Sequence, residues 1–131
     1  LAGFDGRHGP SRHPLPRGKW LSMAVHDGAE AQRARRLGAV IMLISPVFPT
    51  RSHPGAPVLG RAGFAKLAAV TRGSPAAAPR AIALGGMDAQ RYRRLRLHGA
   101  QGWAAIDAWA ERSMARNRTK QAICINDQKR N

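Results

Sequence analysis

Cysteine occurs once in the 131 residues, as Cys124. A single thiol closes no internal disulfide, which excludes a disulfide-stapled secreted scaffold, and it cannot build a cysteine-rich zinc site. Acidic residues are also scarce: 7 Asp and Glu stand against 22 Lys and Arg, a formal net charge of +15. An excess of that size predicts attraction to phosphate, whether on nucleic acid, on an anionic membrane or on a phosphorylated small molecule. Long apolar runs are missing. The longest, around residues 39–44, is far too short to span a bilayer. The first residues do not follow the basic-then-apolar plan of a secretory signal, so a cytoplasmic protein is expected. What remains, 44% hydrophobic and 22% charged, is ordinary globular composition. The length suits one small domain, whereas a complete (β/α)₈ barrel takes about 250 residues.

Residues 1–19 are rich in Gly, Pro, Arg and His and read mostly as loop, with Leu1–Phe4 as the end of a strand. A rhythm then begins. Trp20–Val25 is a short apolar strand candidate. Gly28–Leu37 is a helix candidate with Gly38 just past its end. Val40–Ile44 is a continuous apolar run of the kind found in buried parallel strands. Ala62–Val70 reads as a helix with Phe64, Leu67 and Ala68 on one face. Ala81–Leu84 is a strand, Asp88–His98 a helix capped by Asp88, and Trp103–Ile106 a fourth strand. A last helix starts over Ala108–Met114. Four successive β-then-α units predict an α/β fold with parallel strands: part of a (β/α)₈ barrel, or a small open doubly wound sheet. Residues 115–131 break the pattern with five basic residues and one acid and read as a basic, disordered tail. Outside it, 17 basic residues still face 6 acidic ones, so the charge belongs to the domain.

Three motifs carry chemistry. The loop from Ser45 to Gly55 is stiffened by Pro46, Pro49 and Pro54 and then presents Thr50, Arg51, Ser52 and His53 together. Hydroxyl, guanidinium and imidazole groups in one loop suit an anion, and they equally suit an ordinary polar surface loop. Gly85-Gly86 lies between a strand and a helix. Glycines there let backbone N–H groups approach a phosphate beside a helix N-terminus, or simply make a tight turn at positive φ. His26 sits at the C-terminal end of a strand, the catalytic side of a βα fold, where it suits acid–base work or caps the next helix. His8 and His13 have no second ligand cluster nearby, so no metal site is read from them. Arg91, Arg93, Arg94 and Arg96 crowd one helix around Tyr92 and Leu95. They read as a solvated face; an RNA-binding patch is the sharper alternative, although no aromatics interleave.

With these motifs in view, the chain resembles the C-terminal half of the thiamine phosphate synthase and thiazole tautomerase family. The resemblance runs from Asp5-Gly6 to Trp109. It is carried by Gly38-Ala39, Ser45-Pro46-Val47-Phe48-Pro49-Thr50, Ala83-Leu84-Gly85-Gly86-Met87, Gly99-Ala100 and Gly102-Trp103-Ala104-Ala105-Ile106. It implies a (β/α)₈ fold. It also implies one of two activities: coupling a pyrimidine pyrophosphate to a thiazole phosphate with Mg²⁺ and release of pyrophosphate, or isomerising a thiazole carboxylate phosphate without a metal. By that resemblance Gly85 and Gly86 hold the thiazole phosphate, and Ile106 and Asp107 close its site. Thr50, Ser52 and His53 lie toward the thiazole and the pyrophosphate. His26 falls where the tautomerases keep an acid/base histidine.

The departures are specific. His53 stands where synthases keep a lysine, and Asp107 stands where they keep a hydroxyl. Ala24 replaces a serine two places before the histidine. Of the Mg²⁺ carboxylate region only Asp5 remains, so the metal's ligands are not evident. The family's first three strands have no counterpart here. Half a barrel exposes two sheet edges and one core face, so the expectation is a homodimer, pairing with an N-terminal half, or a marginal fragment. Leu1 as the first residue and the tail suggest truncation. The reading is a thiamine phosphate synthase-like domain, with a His26-dependent tautomerase and a non-catalytic basic phosphate- or RNA-binding fragment as alternatives.

Overall fold

The computed structural model describes residues 6–10, 17–72 and 78–105. In chain order it runs β1 (Gly6–His8), β2 (Trp20–Val25), α1 (Gly28–Arg36), β3 (Ile41–Ile44), α2 (Gly60–Ala69), β4 (Arg80–Leu84), α3 (Ala89–Leu95), a 3₁₀ turn (Arg96–His98) and β5 (Gly102–Ala104). All strand pairs are parallel, and the sheet order is β1-β2-β3-β4-β5. A doubly wound sheet reverses its strand order at a switch point, and no reversal occurs among the described residues. Consecutive order with a helix after each of β2, β3 and β4 is that of a (β/α)₈ barrel, of which this chain forms a part.

Alternation along the strands decides which face the helices cover. Leu21, Met23 and Val25 of β2, Met42 and Ile44 of β3, and Ala81 and Ala83 of β4 are buried. They share one core with Ala31 and Ala34 of α1, Phe64 and Leu67 of α2 and Leu95 of α3. Phe64 heads the fully buried side chains, and truncating such a residue to alanine costs roughly 3–5 kcal/mol. The opposite face carries Ala24, Leu43 and Ile82 in register with Gly102. Its residues are half-buried.

Helix starts follow from the acids. Asp27 lies in extended backbone and accepts from the Glu30 N–H at 2.8 Å. Glu30 Oε2 accepts from the His26 N–H at 2.7 Å. Asp88 caps α3 in the same way, accepting from the Arg91 N–H at 2.8 Å. Such caps satisfy N–H groups that the first helical turn leaves unpaired.

Two expectations change. A fifth strand, β1, lies inside the stretch read as loop. It pairs Gly6 with Trp20, Arg7 with Leu21 and His8 with Ser22, and the Gly9 N–H continues the pairing to the Ser22 carbonyl at 2.8 Å. The exposed Trp20 ring lies over Gly6, in the space that a Cβ there would take. Gly-Arg-His has no apolar alternation, so only the pairing partner reveals the strand. The helix read over Asp88–His98 is an α-helix only over Ala89–Leu95; its last turn tightens to 3₁₀ before Gly99, at φ 96°, ends it. Leu1–Phe4, Ile106, the helix starting at Ala108 and the tail lie outside the described residues. Among the described residues, no helix is long and apolar enough to cross a membrane.

Candidate functional site

Parallel strands deliver their C-terminal ends to one side of the sheet. There the ends of β2 to β5 frame a cleft of about 540 Å³. His26 enters it after β2. Ser45, Pro46, Thr50, Ser52 and His53 come from the β3–α2 loop, Leu84 to Met87 from the end of β4, and Ala104 and Ala105 from β5. The sequence-predicted residues His26, Thr50, Ser52, His53, Gly85 and Gly86 therefore share one cleft. Ile106 and Asp107 lie outside the described residues.

The β3–α2 loop is held to the end of β4 by backbone bonds. The Val47 N–H donates to the Leu84 carbonyl at 2.9 Å and the Phe48 N–H to the Gly85 carbonyl at 3.1 Å. The Leu59 N–H closes the loop's base on the Pro46 carbonyl at 2.9 Å. The Ser45–Pro46 peptide is cis. Gly85 and Gly86 have φ of 86° and 59°, in the left-handed region that glycine alone enters freely. Space forbids a side chain as well. A Cβ at Gly85 would lie 2.9 Å from Pro46 Cα, and one at Gly86 would fall on the Pro49 carbonyl oxygen. The tight-turn reading and the ligand-approach reading of this pair are thus compatible. Among the described residues, the N–H groups of Gly86 and Met87 have no acceptor.

Thr50 Oγ1 accepts from Ser52 Oγ at 3.1 Å and from the His53 N–H at 3.2 Å. His53 Nδ1 lies 3.3 Å from Ser52 Oγ. The loop thus presents an ordered hydroxyl–hydroxyl–imidazole chain. His26 Nδ1 lies 2.7 Å from the Ser45 carbonyl oxygen. A carbonyl only accepts, so Nδ1 carries the proton, and in the neutral ring Nε2 is left as the basic nitrogen.

Arg91 lies on the exposed helix face expected from the sequence, and it also makes contacts that the sequence did not indicate. Its guanidinium lies 4.9 Å from the Phe48 ring centroid, one of its terminal nitrogens donates to the Gly86 carbonyl, and Nε is 3.6 Å from Asp88 Oδ2. The Asp88–Arg91 spacing was the available signal, since residues three apart on a helix are neighbours. Among the described residues, no three His, Cys, Asp or Glu converge as metal ligands.

The thiamine monophosphate synthase family matches residues 5–109. Among solved structures, thiamine phosphate pyrophosphorylase from Pyrococcus furiosus is similar, with 25% identity and a TM-score of 0.52. The match covers 68% of this chain and 39% of that one, so this chain spans less than half of that neighbour's length. No curated protein matches. The loop that follows Ser45, the glycine pair after β4 and the parallel strand order agree with the match over four-fifths of the chain, and the chain belongs to the thiamine monophosphate synthase family.

Proposed function

We propose that this chain carries the thiazole-phosphate side of a thiamine phosphate synthase site, and that its role lies in thiamine biosynthesis. In a complete barrel that site couples thiazole phosphate to a pyrimidine pyrophosphate and releases pyrophosphate. The observation that carries the reading is the Gly85-Gly86 turn. Its backbone borders the cleft, and the N–H groups of Gly86 and Met87, which have no acceptor among the described residues, suit phosphate oxygens. Across the cleft, Thr50, Ser52 and His53 offer hydroxyls and an imidazole to the pyrophosphate. The largely apolar wall supplied by Pro46, Leu84 and Met87 suits a heteroaromatic ring.

Mg²⁺ is expected from the family, and the described residues do not fit it. Asp27, Glu30 and Asp88 each hold a helix start.

The test is the melting midpoint of the chain with thiazole phosphate or its dephosphorylated alcohol. At 100 times Kd a native-state ligand adds about 2.7 kcal/mol, a rise of several degrees. The phosphate form should raise the midpoint well above the rise given by the alcohol at the same concentration. Equal effects from both, or none from either, contradict the reading.

A thiazole tautomerase is the second reading, favoured by His26: the bond to the Ser45 carbonyl fixes the ring as a base at Nε2. His26→Ala should then abolish isomerisation of the thiazole carboxylate phosphate. Unchanged turnover would sink it.

A further inference from the structure

We propose that Arg91 is a positioning residue that holds the Gly85-Gly86 turn in its anion-receiving shape by fastening it to the Phe48 ring; this rests on the thiazole-phosphate reading above.

The argument starts from the peptide between Gly86 and Met87. Arg91 donates to the Gly86 carbonyl. In a trans peptide the carbonyl and the following N–H point in opposite directions. Pinning the Gly86 oxygen to Arg91 therefore fixes the Met87 N–H on the far side of that peptide, and both residues border the cleft. Without the pin, the orientation of that peptide rests on the Gly86 ψ, which no side chain restricts, and on the packing of the buried Met87.

Arg91 is itself fixed at two further points. Its guanidinium lies over Phe48, a cation–π arrangement, and its Nε faces the Asp88 carboxylate at 3.6 Å. Phe48 is tied to the same turn by its own N–H, which donates to the Gly85 carbonyl at 3.1 Å. The turn and the β3–α2 loop thus share a joint closed on one side by backbone and on the other by Arg91. Only a planar guanidinium serves both faces of it: the ring takes its flat side while an edge N–H reaches the carbonyl. A lysine offers charge without that geometry. Arg93, on the same helix, makes among the described residues a 3.4 Å contact back to the Ala89 carbonyl within α3. The role is particular to Arg91.

Two readouts test this in the full chain. The first needs no ligand: amide hydrogen exchange at Phe48. Arg91→Met should speed it about tenfold, the loss of a charge-assisted bond together with a cation–π contact. Arg91→Lys should behave like Arg91→Met, because charge alone does not close the joint. The second is the Kd for thiazole phosphate against that for the thiazole alcohol. Arg91→Met and Arg91→Lys should weaken the phosphate about tenfold and leave the alcohol within twofold. Phe48→Leu removes the platform from the other loop and should reproduce both effects. The double variant should add nothing beyond the larger single one. The single variant Phe48→Leu carries the test if Arg91→Met fails to fold. Wild-type exchange at Phe48 in Arg91→Met, or wild-type behaviour of Arg91→Lys, overturns the proposal. A wild-type chain that binds no thiazole phosphate overturns the functional reading instead, and the exchange at Phe48 still decides the role of Arg91.

Discussion

Gly86→Ala is the most informative single perturbation, because two separable costs meet at this position. The first is conformational. Gly86 has φ 59°, and an L-residue in the left-handed region costs roughly 1–2 kcal/mol. The second is steric. The new Cβ would fall on the Pro49 carbonyl oxygen and lie 2.9 Å from Phe48 Cβ, so the β3–α2 loop must move. Forced displacement of packed groups costs typically 1–3 kcal/mol more. Together these give about 2–5 kcal/mol, a large share of the roughly 5–15 kcal/mol that holds an ordinary domain folded. Gly38→Ala is the control. Gly38 also has positive φ, at 72°, but nothing lies within 4 Å of its Cβ position, so it carries the conformational cost alone. Urea unfolding of both variants measures the difference, with the slope checked for two-state behaviour. Gly86→Ala should lose at least 1 kcal/mol more than Gly38→Ala. Equal losses would refute the close approach of the two loops, and with it the geometry on which the site reading stands.

Other consequences follow from the same contacts. Asp27→Ala removes the cap of α1 and should cost about 0.5–2 kcal/mol, while Asp27→Asn should keep most of it; melting curves distinguish the two. Gly6→Ala should push the exposed Trp20 ring aside and loosen β1; the sign is accelerated amide exchange at Gly9, whose N–H otherwise bonds the Ser22 carbonyl. The net charge of +15 predicts RNA binding that is micromolar and falls steeply with salt. Nanomolar binding at physiological salt would instead favour a basic RNA-binding fragment.

The parallel βα order was legible because the apolar runs at residues 40–44 and 81–84 are too short for helices and are separated by helix-patterned segments. Asp88 was legible as a cap and Gly38 as a helix-ending glycine, and Gly38 does take a positive φ. Once the strands are parallel, His26, Thr50, Ser52, His53, Gly85 and Gly86 must meet, since each follows the C-terminal end of a strand. That is why so much of the cleft could be read without coordinates. β1 was hidden because three residues, Gly-Arg-His, carry no periodicity; their strand state is imposed by Trp20, Leu21 and Ser22 across the sheet. The contacts of Arg91 were hidden for a related reason. Its stacking partner, Phe48, is remote in sequence, and a helix rich in arginine gives no sign of which exposed one reaches across to a loop.

The central claim is that the Gly85-Gly86 turn receives the phosphate of the thiazole. Amide chemical-shift mapping on the isotope-labelled chain, titrated with thiazole phosphate, tests it most directly. The account predicts that the largest shifts fall on Gly86 and Met87, with smaller ones at Phe48, and that the thiazole alcohol moves Gly86 far less than the phosphate does. Shifts confined to the exposed arginines of α1 and α3, or none in the cleft, would contradict it.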